Sequence, residues 1–262
     1  MRPAQLGGLR VSYPRIRGLQ NAHGGKYEAG NCTIKAIGSF GEKYEWYPVV
    51  GGSEHALANA EFKLSFAGEP IVFESKAGAK VECAAGSGSG DFSEHQIEGL
   101  TREIESVVIT YTECKKESTP CTSSGHESGM IVTHSLDGIL GDWKKEAEKR
   151  HDKIGIAFYP PSKEEDILSA KCGSTEYQQK GAVIDQVNSN EINEPMEELK
   201  MKFVVTKSGE QHPLEFLTGE PEIAPFESNF GSWSQTGMTA VVALHTENHG
   251  EEVEARVGVN GT

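Results

Sequence analysis

The densest cluster of residue types able to do chemistry is Thr122-Ser-Ser-Gly-His-Glu-Ser-Gly129, which holds Ser123, Ser124, His126 and Ser128. Acyl transfer by serine needs a nucleophile, an imidazole and an acid, normally delivered by separate elements. The strand-to-helix elbow that presents such a nucleophile reads Gly-x-Ser-x-Gly. Here Gly125-His-Glu-Ser-Gly129 sets the serine one residue late, and the segment reads as a polar loop. Glu103 and Glu105 fall on one face of a strand. Glycoside hydrolysis, however, needs two carboxyls roughly 5–9 Å apart across a cleft. With Asp and Glu totalling 39, no pair is singled out, and no catalytic residue is assigned.

Metal and phosphate chemistry find no better footing. His245-Thr-Glu-Asn-His249 has a His-x3-His interval, but the helical His-Glu-x-x-His pattern is missing and Asn248-His249-Gly250 reads as a turn. A Cys-x2-Cys pair, the usual zinc signature, does not occur. Asn188-Ser-Asn-Glu-Ile-Asn-Glu194 is rich in oxygen donors yet lacks the Asp spacing and Gly of a calcium loop. Gly86-Ser-Gly-Ser-Gly90-Asp91 has the glycines of a phosphate cradle without the following Lys-Ser/Thr, and it reads as a flexible hairpin tip. Neither metal nor cofactor is expected.

Aromatic residues carry the one positive ligand signal. Tyr44 and Trp46 share a strand face, with Tyr47 on the other. Flat exposed rings can stack on the apolar C–H faces of sugars, although large aromatics more commonly fill cores and Trp46 beside Pro48 suits a core plug. Trp143 and Trp233 sit in polar contexts that predict exposure.

Five cysteines, Cys32, Cys83, Cys114, Cys121 and Cys172, bear on the compartment. Cys114 and Cys121 enclose Lys-Lys-Glu-Ser-Thr-Pro, a polar turn that suits a disulfide across the end of a hairpin. Cys83 and Cys172 each end an alternating segment, so a long-range bridge between them is the second expectation, with Cys32 left over. Oxidised pairs imply an oxidising compartment. Five reduced, buried thiols in a cytosolic protein are the alternative.

The elements that must position these groups are short strands. Period-two alternation marks Glu61–Phe66, Ile104–Tyr111, Met130–Ile139, Lys153–Tyr159, Leu199–Thr206, Thr239–His245 and Val253–Val259. With hydrophobic residues at 36%, Gly at 30 and Pro at 11, many turns fit better than long helices. One helix is predicted at 142–150, capped by Asp142 and opening on Trp143, with Glu146 and Arg150 paired at i, i+4. Residues 1–25 carry Arg2, Arg10, Arg15 and Arg17 and no acid, and read as a basic, loosely ordered arm. Residues 26–262 then form a single β-rich domain. Inside it, Leu64-Ser-Phe66, Gly68-Glu69-Pro70, Phe73-Glu74-Ser75 is echoed by Leu214-Glu-Phe216, Gly219-Glu220-Pro221, Phe226-Glu227-Ser228, which suggests two related halves. A net charge of −14 opposes polyphosphate binding, so no nucleic-acid partner is expected. No run reaches the ~18 apolar residues of a membrane-spanning helix.

Three central runs are distinctive: Val107-Val-Ile-Thr-Tyr-Thr-Glu-Cys114, Pro120-Cys121-Thr-Ser-Ser-Gly125, and Gly129-Met-Ile-Val-Thr133 through Leu136-Asp-Gly138-Ile-Leu-Gly141. With Lys43-Tyr44-Glu45-Trp46 and Phe216–Pro221, they resemble an uncharacterised family of exported, β-rich actinobacterial proteins of unknown function. The resemblance implies export and a Cys114–Cys121 bridge, and it implies no activity.

The fold expected is all-β, an antiparallel sandwich or barrel of roughly twelve short strands, with the single polar helix at 142–150. The function expected is that of an exported structural or interaction protein without enzymatic activity. It would associate with itself or with other surface proteins through an unprotected strand edge. The alternative is a carbohydrate-binding module or weak glycan-active hydrolase using Tyr44 and Trp46.

Overall fold

Successive side chains of an extended chain face opposite ways, so Ala60-Glu-Phe-Lys-Leu-Ser-Phe66 has one apolar and one polar face before any partner is considered. A sheet that hides the first and wets the second is the economical solution. The structure, a computed structural model, describes residues 44–50, 60–66, 68–92, 96–97, 100–101, 104–143, 153–162, 164–187, 198–212, 216–217, 224–248, 251–253 and 255–261. Every regular element among them is a β-strand.

The chain begins with β1 (Tyr44–Val50), β2 (Ala60–Phe66), β3 (Ile71–Ser75), β4 (Lys80–Cys83), β5 (Ala85–Phe92), β6 (Gln96–Ile97), β7 (Leu100–Thr101) and β8 (Ile104–Thr112). It continues through β9 (Lys115–Lys116), β10 (Thr119–Thr122), β11 (Ile131–Val132), β12 (Leu136–Trp143), β13 (Lys153–Tyr159), β14 (Leu168–Cys172), β15 (Thr175–Lys180), β16 (Val183–Ile184) and β17 (Gln186–Val187). It closes with β18 (Leu199–Val205), β19 (Gln211–His212), β20 (Phe216–Leu217), β21 (Glu227–Asn229), β22 (Trp233–Asn248), β23 (Glu251–Val253) and β24 (Ala255–Gly261). The elements outnumber the dozen expected because long alternating runs break: Met130–Ile139 divides into β11 and the start of β12.

Antiparallel ladders close an eight-strand barrel in the order β22, β2, β5, β8, β12, β13, β16–β17, β18 and back to β22. Phe62, Leu64, Ile104, Val107, Ile156, Phe158, Met201 and Leu244 are buried in one continuous apolar core. Each such side chain contributes about 1.5–3 kcal/mol by leaving water. The alternate positions Glu61, Lys63, Ser65, Lys200 and Lys202 are exposed, the reverse of the apolar band of a lipid-facing barrel. Among the described residues no helix is long and apolar enough to cross a membrane.

The glycine-rich segment is a barrel strand, not the flexible hairpin tip expected. Residues 86–90 pair with β2 on one side and β8 on the other. A Cβ at Gly86 would meet Phe66 and Tyr111, and one at Gly90 would lie 2.6 Å from Phe62 Cζ. The glycines face the aromatic core and give it room, while Ser87 and Ser89 face outward.

The expected helix is also corrected where it can be seen. Asp142 and Trp143 are the last residues of β12, opposite Ile154 and Lys153 of β13 on one side and Leu217 and Phe216 of β20 on the other. Ladders on both edges occupy the backbone groups that a helical first turn would need. Residues 144–152 lie outside the described ones, as does the arm at 1–25.

β22 is longer than the barrel requires, and its first half leaves the barrel to pair with β21 and β3. From β3 a second circuit of ladders runs through β4, β9, β10, β14, β15 and β21 back to β22. Its pairing is thin on both sides of the β9–β10 hairpin, which itself pairs at two positions. β4 meets β9 only through Glu82 and Lys115, and β10 meets β14 through Cys121–Cys172 and Thr122–Lys171. Disulfides bridge these two seams, joining Cys83 to Cys114 and Cys121 to Cys172. All four cysteines are buried. The expected Cys114–Cys121 and Cys83–Cys172 pairing is therefore corrected. Cys114 and Cys121 do face each other across the β9–β10 hairpin, with the Cys121 N–H donating to the Cys114 carbonyl at 2.9 Å, but each sulfur bonds to the strand on its far side. Cys32 lies outside the described residues.

Candidate functional site

Among the described residues, those singled out from sequence do not converge. Tyr44 and Trp46 take alternate positions of β1, opposite Gly261 and Val259 of β24, and their side chains lie outside the described ones. The Ser123 hydroxyl is buried and spent on the backbone, donating to the Ser169 carbonyl at 2.8 Å and accepting from Val132 N–H at 3.2 Å. Ser124, His126 and Ser128 sit on an exposed turn. His245 lies on β22 with its Nε2 3.6 Å from Glu198 Oε2; His249 and Glu103 fall outside the described residues, as does 188–194. Among the described residues no group of three His, Cys, Asp or Glu is gathered as a metal site.

Register assembles two features that are invisible in one dimension. The first is a row of acids in backbone register across β23 and four neighbouring strands of the barrel wall, β22, β2, β5 and β8. Glu252 faces Glu247, Glu247 faces Glu61, Glu61 faces Asp91 and Asp91 faces Glu105. The last step depends on a bulge, with Ser106 at φ 59° and two residues of β8 opposing Gly90 alone. Burial, then the charges of Glu61 and Glu105, hold the Asp91 carboxyl above its ordinary range. Lys63 answers part of the row through an ion pair with Glu247 at 2.5 Å.

The second feature is the outer face of β14, β15, β21 and β22. Tyr177, Gln179, Ser228 and Thr236 turn inward and are buried, so the residues between them turn outward. Gln178 faces Asn229 and Asn229 faces Trp233, while in the next row Lys180 faces Glu227 and Glu227 faces Gln235. Trp233 is 39% exposed, one of two large hydrophobics so open among the described residues, the other being Val108. The Lys180 ammonium lies 4.1 Å from the centre of the indole and 3.3 Å from Glu227 Oε2.

Beside the indole runs a chain of fixed polar groups. Asp166 Oδ2 accepts from Ser169 Oγ at 3.1 Å and from Gln178 Nε2 at 3.0 Å. Gln178 Oε1 accepts from Asn229 Nδ2 at 3.3 Å, and Asn229 Oδ1 accepts from Gly231 N–H at 2.8 Å. Each amide donates one of its two N–H groups in this chain, and among the described residues the second has no acceptor. Beneath, Tyr177 stacks on Phe230 with ring centres 4.6 Å apart, so the strand that carries Gln178 and Lys180 is anchored from below.

Sequence reasoning marked Trp233 as exposed but missed Lys180, Gln178, Asn229 and Asp166. The usable signal was alternation in Thr175-Glu-Tyr-Gln-Gln-Lys180, where a buried Tyr177 and Gln179 separate three outward polar residues. No family model, curated protein or solved structure matches the chain.

Proposed function

We propose that this chain is an exported interaction protein without enzymatic activity, able to associate with itself at the cell surface. The observation that carries the reading is the pair of buried disulfides, placed at two thin seams of the second circuit, on either side of the β9–β10 hairpin. Such bonds persist in oxidising compartments and are rare in the cytosol. The resemblance to an exported family points the same way. The closed circuits leave few strand edges, but β1 and β24 pair along seven positions and, among the described residues, only with each other. A ribbon with free outer edges is a template for pairing with a second chain.

The test has two readouts. Protein isolated without reductant and alkylated should show Cys83, Cys114, Cys121 and Cys172 protected; free thiols at these positions remove the case for export. Light scattering coupled to size exclusion should show mass rising with protein concentration; a strict monomer throughout removes self-association.

A further inference from the structure

Resting on the reading of this chain as an interaction protein, we infer that the outer sheet face around Trp233 binds an uncharged saccharide. A sugar ring has an apolar C–H face and an equatorial girdle of hydroxyls, each both donor and acceptor. The face offers the complement: one half-exposed indole and, beside it, an amide–carboxylate chain through Asp166, Gln178 and Asn229 whose orientations are set by mutual hydrogen bonds. Groups held in place before binding lose little freedom when a ligand arrives.

Charge selects the class. The chain carries −14, which disfavours an acidic polymer. On this face Lys180 is already paired with Glu227, and the Asp166 carboxylate is engaged by the Ser169 hydroxyl and the Gln178 amide, so its charge is used to fix the amide chain. A protein partner anchored by apolar side chains would find a single indole surrounded by polar groups.

Lys180 covers part of the ring in the free protein. A cation–π contact at an exposed site is weak. The ammonium can therefore swing to Glu227, its existing partner, and surrender the indole to a sugar at little cost. Lys180 acts as a displaceable cover on the platform.

Affinity electrophoresis of the full chain through gels containing laminarin, hydroxyethyl cellulose, glucomannan or dextran, with polygalacturonate as the charged control, tests this. The expected result is retardation by at least one of the four neutral polymers and not by polygalacturonate. Trp233→Ala should weaken retardation at least tenfold, Gln178→Ala should weaken it less, and Lys180→Met should preserve or strengthen it. Because Trp233 is exposed, an unchanged thermal melt of the variant separates lost binding from lost fold. Migration unaffected by all four polymers, retardation indifferent to Trp233→Ala, or retardation by polygalacturonate alone would overturn the inference. Protected cysteines and concentration-dependent mass in the same preparation would show that the broader reading survives without it.

Discussion

Cys121 lies directly opposite Cys172 on the β10–β14 ladder, and their sulfurs are joined there. With Cys83–Cys114 on the other side, the β9–β10 hairpin is clamped at both edges where ladder pairing alone is sparse. The linked residues are 31 and 51 positions apart, and loops of that length are worth about 4 kcal/mol each in the chain-entropy model. Reductant should lower the melting temperature by roughly 10 °C or more. Proteolytic mapping without reduction should recover peptides linking Cys83 to Cys114 and Cys121 to Cys172. A linked Cys114–Cys121 peptide would contradict the two-sided clamp.

The glycines of β5 predict a sharp contrast between neighbours. A Cβ at Gly90 would stand 2.6 Å from Phe62 Cζ and 2.9 Å from Val107 Cγ2. Both are buried in the barrel core, so neither can yield without disturbing others. Gly90→Ala should destabilise by about 1–3 kcal/mol, the usual cost of overpacking. Ser89→Ala, one residue away on the outer face, should stay within about 0.5 kcal/mol. Urea midpoints at a common slope separate the two outcomes, and equal effects would mean that the strand does not face the core as described.

How much of this could be read in advance depends on the range of the physics. Alternation at Glu61–Phe66 or Lys153–Tyr159 reports one-sided burial, a local property, and the all-β class follows from it. Neighbourhood is not local. Cys114 and Cys121 look like partners because they flank one turn, yet their bonds are decided by β4 and β14. Gly86–Gly90 looks flexible until Phe62, Phe66 and Tyr111 arrive to need the space. Asp142 has the composition of a cap, but β13 and β20 claim its backbone. The echo of Phe73-Glu74-Ser75 in Phe226-Glu227-Ser228 acquires a location: the two segments flank the first half of β22, and both serines are buried. The Trp233 face was half legible, since an exposed indole was expected while Lys180 and Asn229 reach it only through register.

The acid row gives a prediction about charge. Like charges directly opposite on adjacent strands are unfavourable by a few tenths to about 1 kcal/mol, and Asp91 has one on each side. Its folded-state carboxyl is held above the ordinary value, so the stability linked to its protonated form is complete at low pH and is lost as pH rises through the folded value. Asp91→Asn should raise stability at pH 7 by about 0.5 kcal/mol in low salt. The gain should shrink in about 1 M salt, where charges are screened within about 3 Å. Chemical denaturation of both proteins at the two ionic strengths checks it; a loss on substitution would mean that Asp91 makes a favourable contact outweighing the repulsion.

Asp185 carries a pH signature that falls in the neutral range. It sits between β16 and β17, the two short strands that close the barrel between β13 and β18. Its side chain is fully buried. Oδ1 accepts from Ile156 N–H at 2.9 Å, while Oδ2 has no hydrogen-bond partner among the described residues. Burial pushes the carboxyl up to about 8, only partly offset by the Ile156 bond. The unfolded chain releases this proton near the ordinary value of 3.8, whereas the folded chain keeps it until about pH 8. Between those limits the folded state binds the extra proton, so stability falls as pH rises, by at most about 1.4 kcal/mol per pH unit. Above the folded value the slope from this group vanishes. Asp185→Asn keeps an acceptor for Ile156 and removes the titration, although its amide leaves a buried donor to satisfy and lowers stability overall by about 1–3 kcal/mol. The decisive quantity is therefore the difference between pH 5 and pH 7.5 within each protein. It should be clearly larger in the native chain than in the variant; parallel pH profiles would mean that Asp185 ionises in the folded state as freely as it does in the unfolded one.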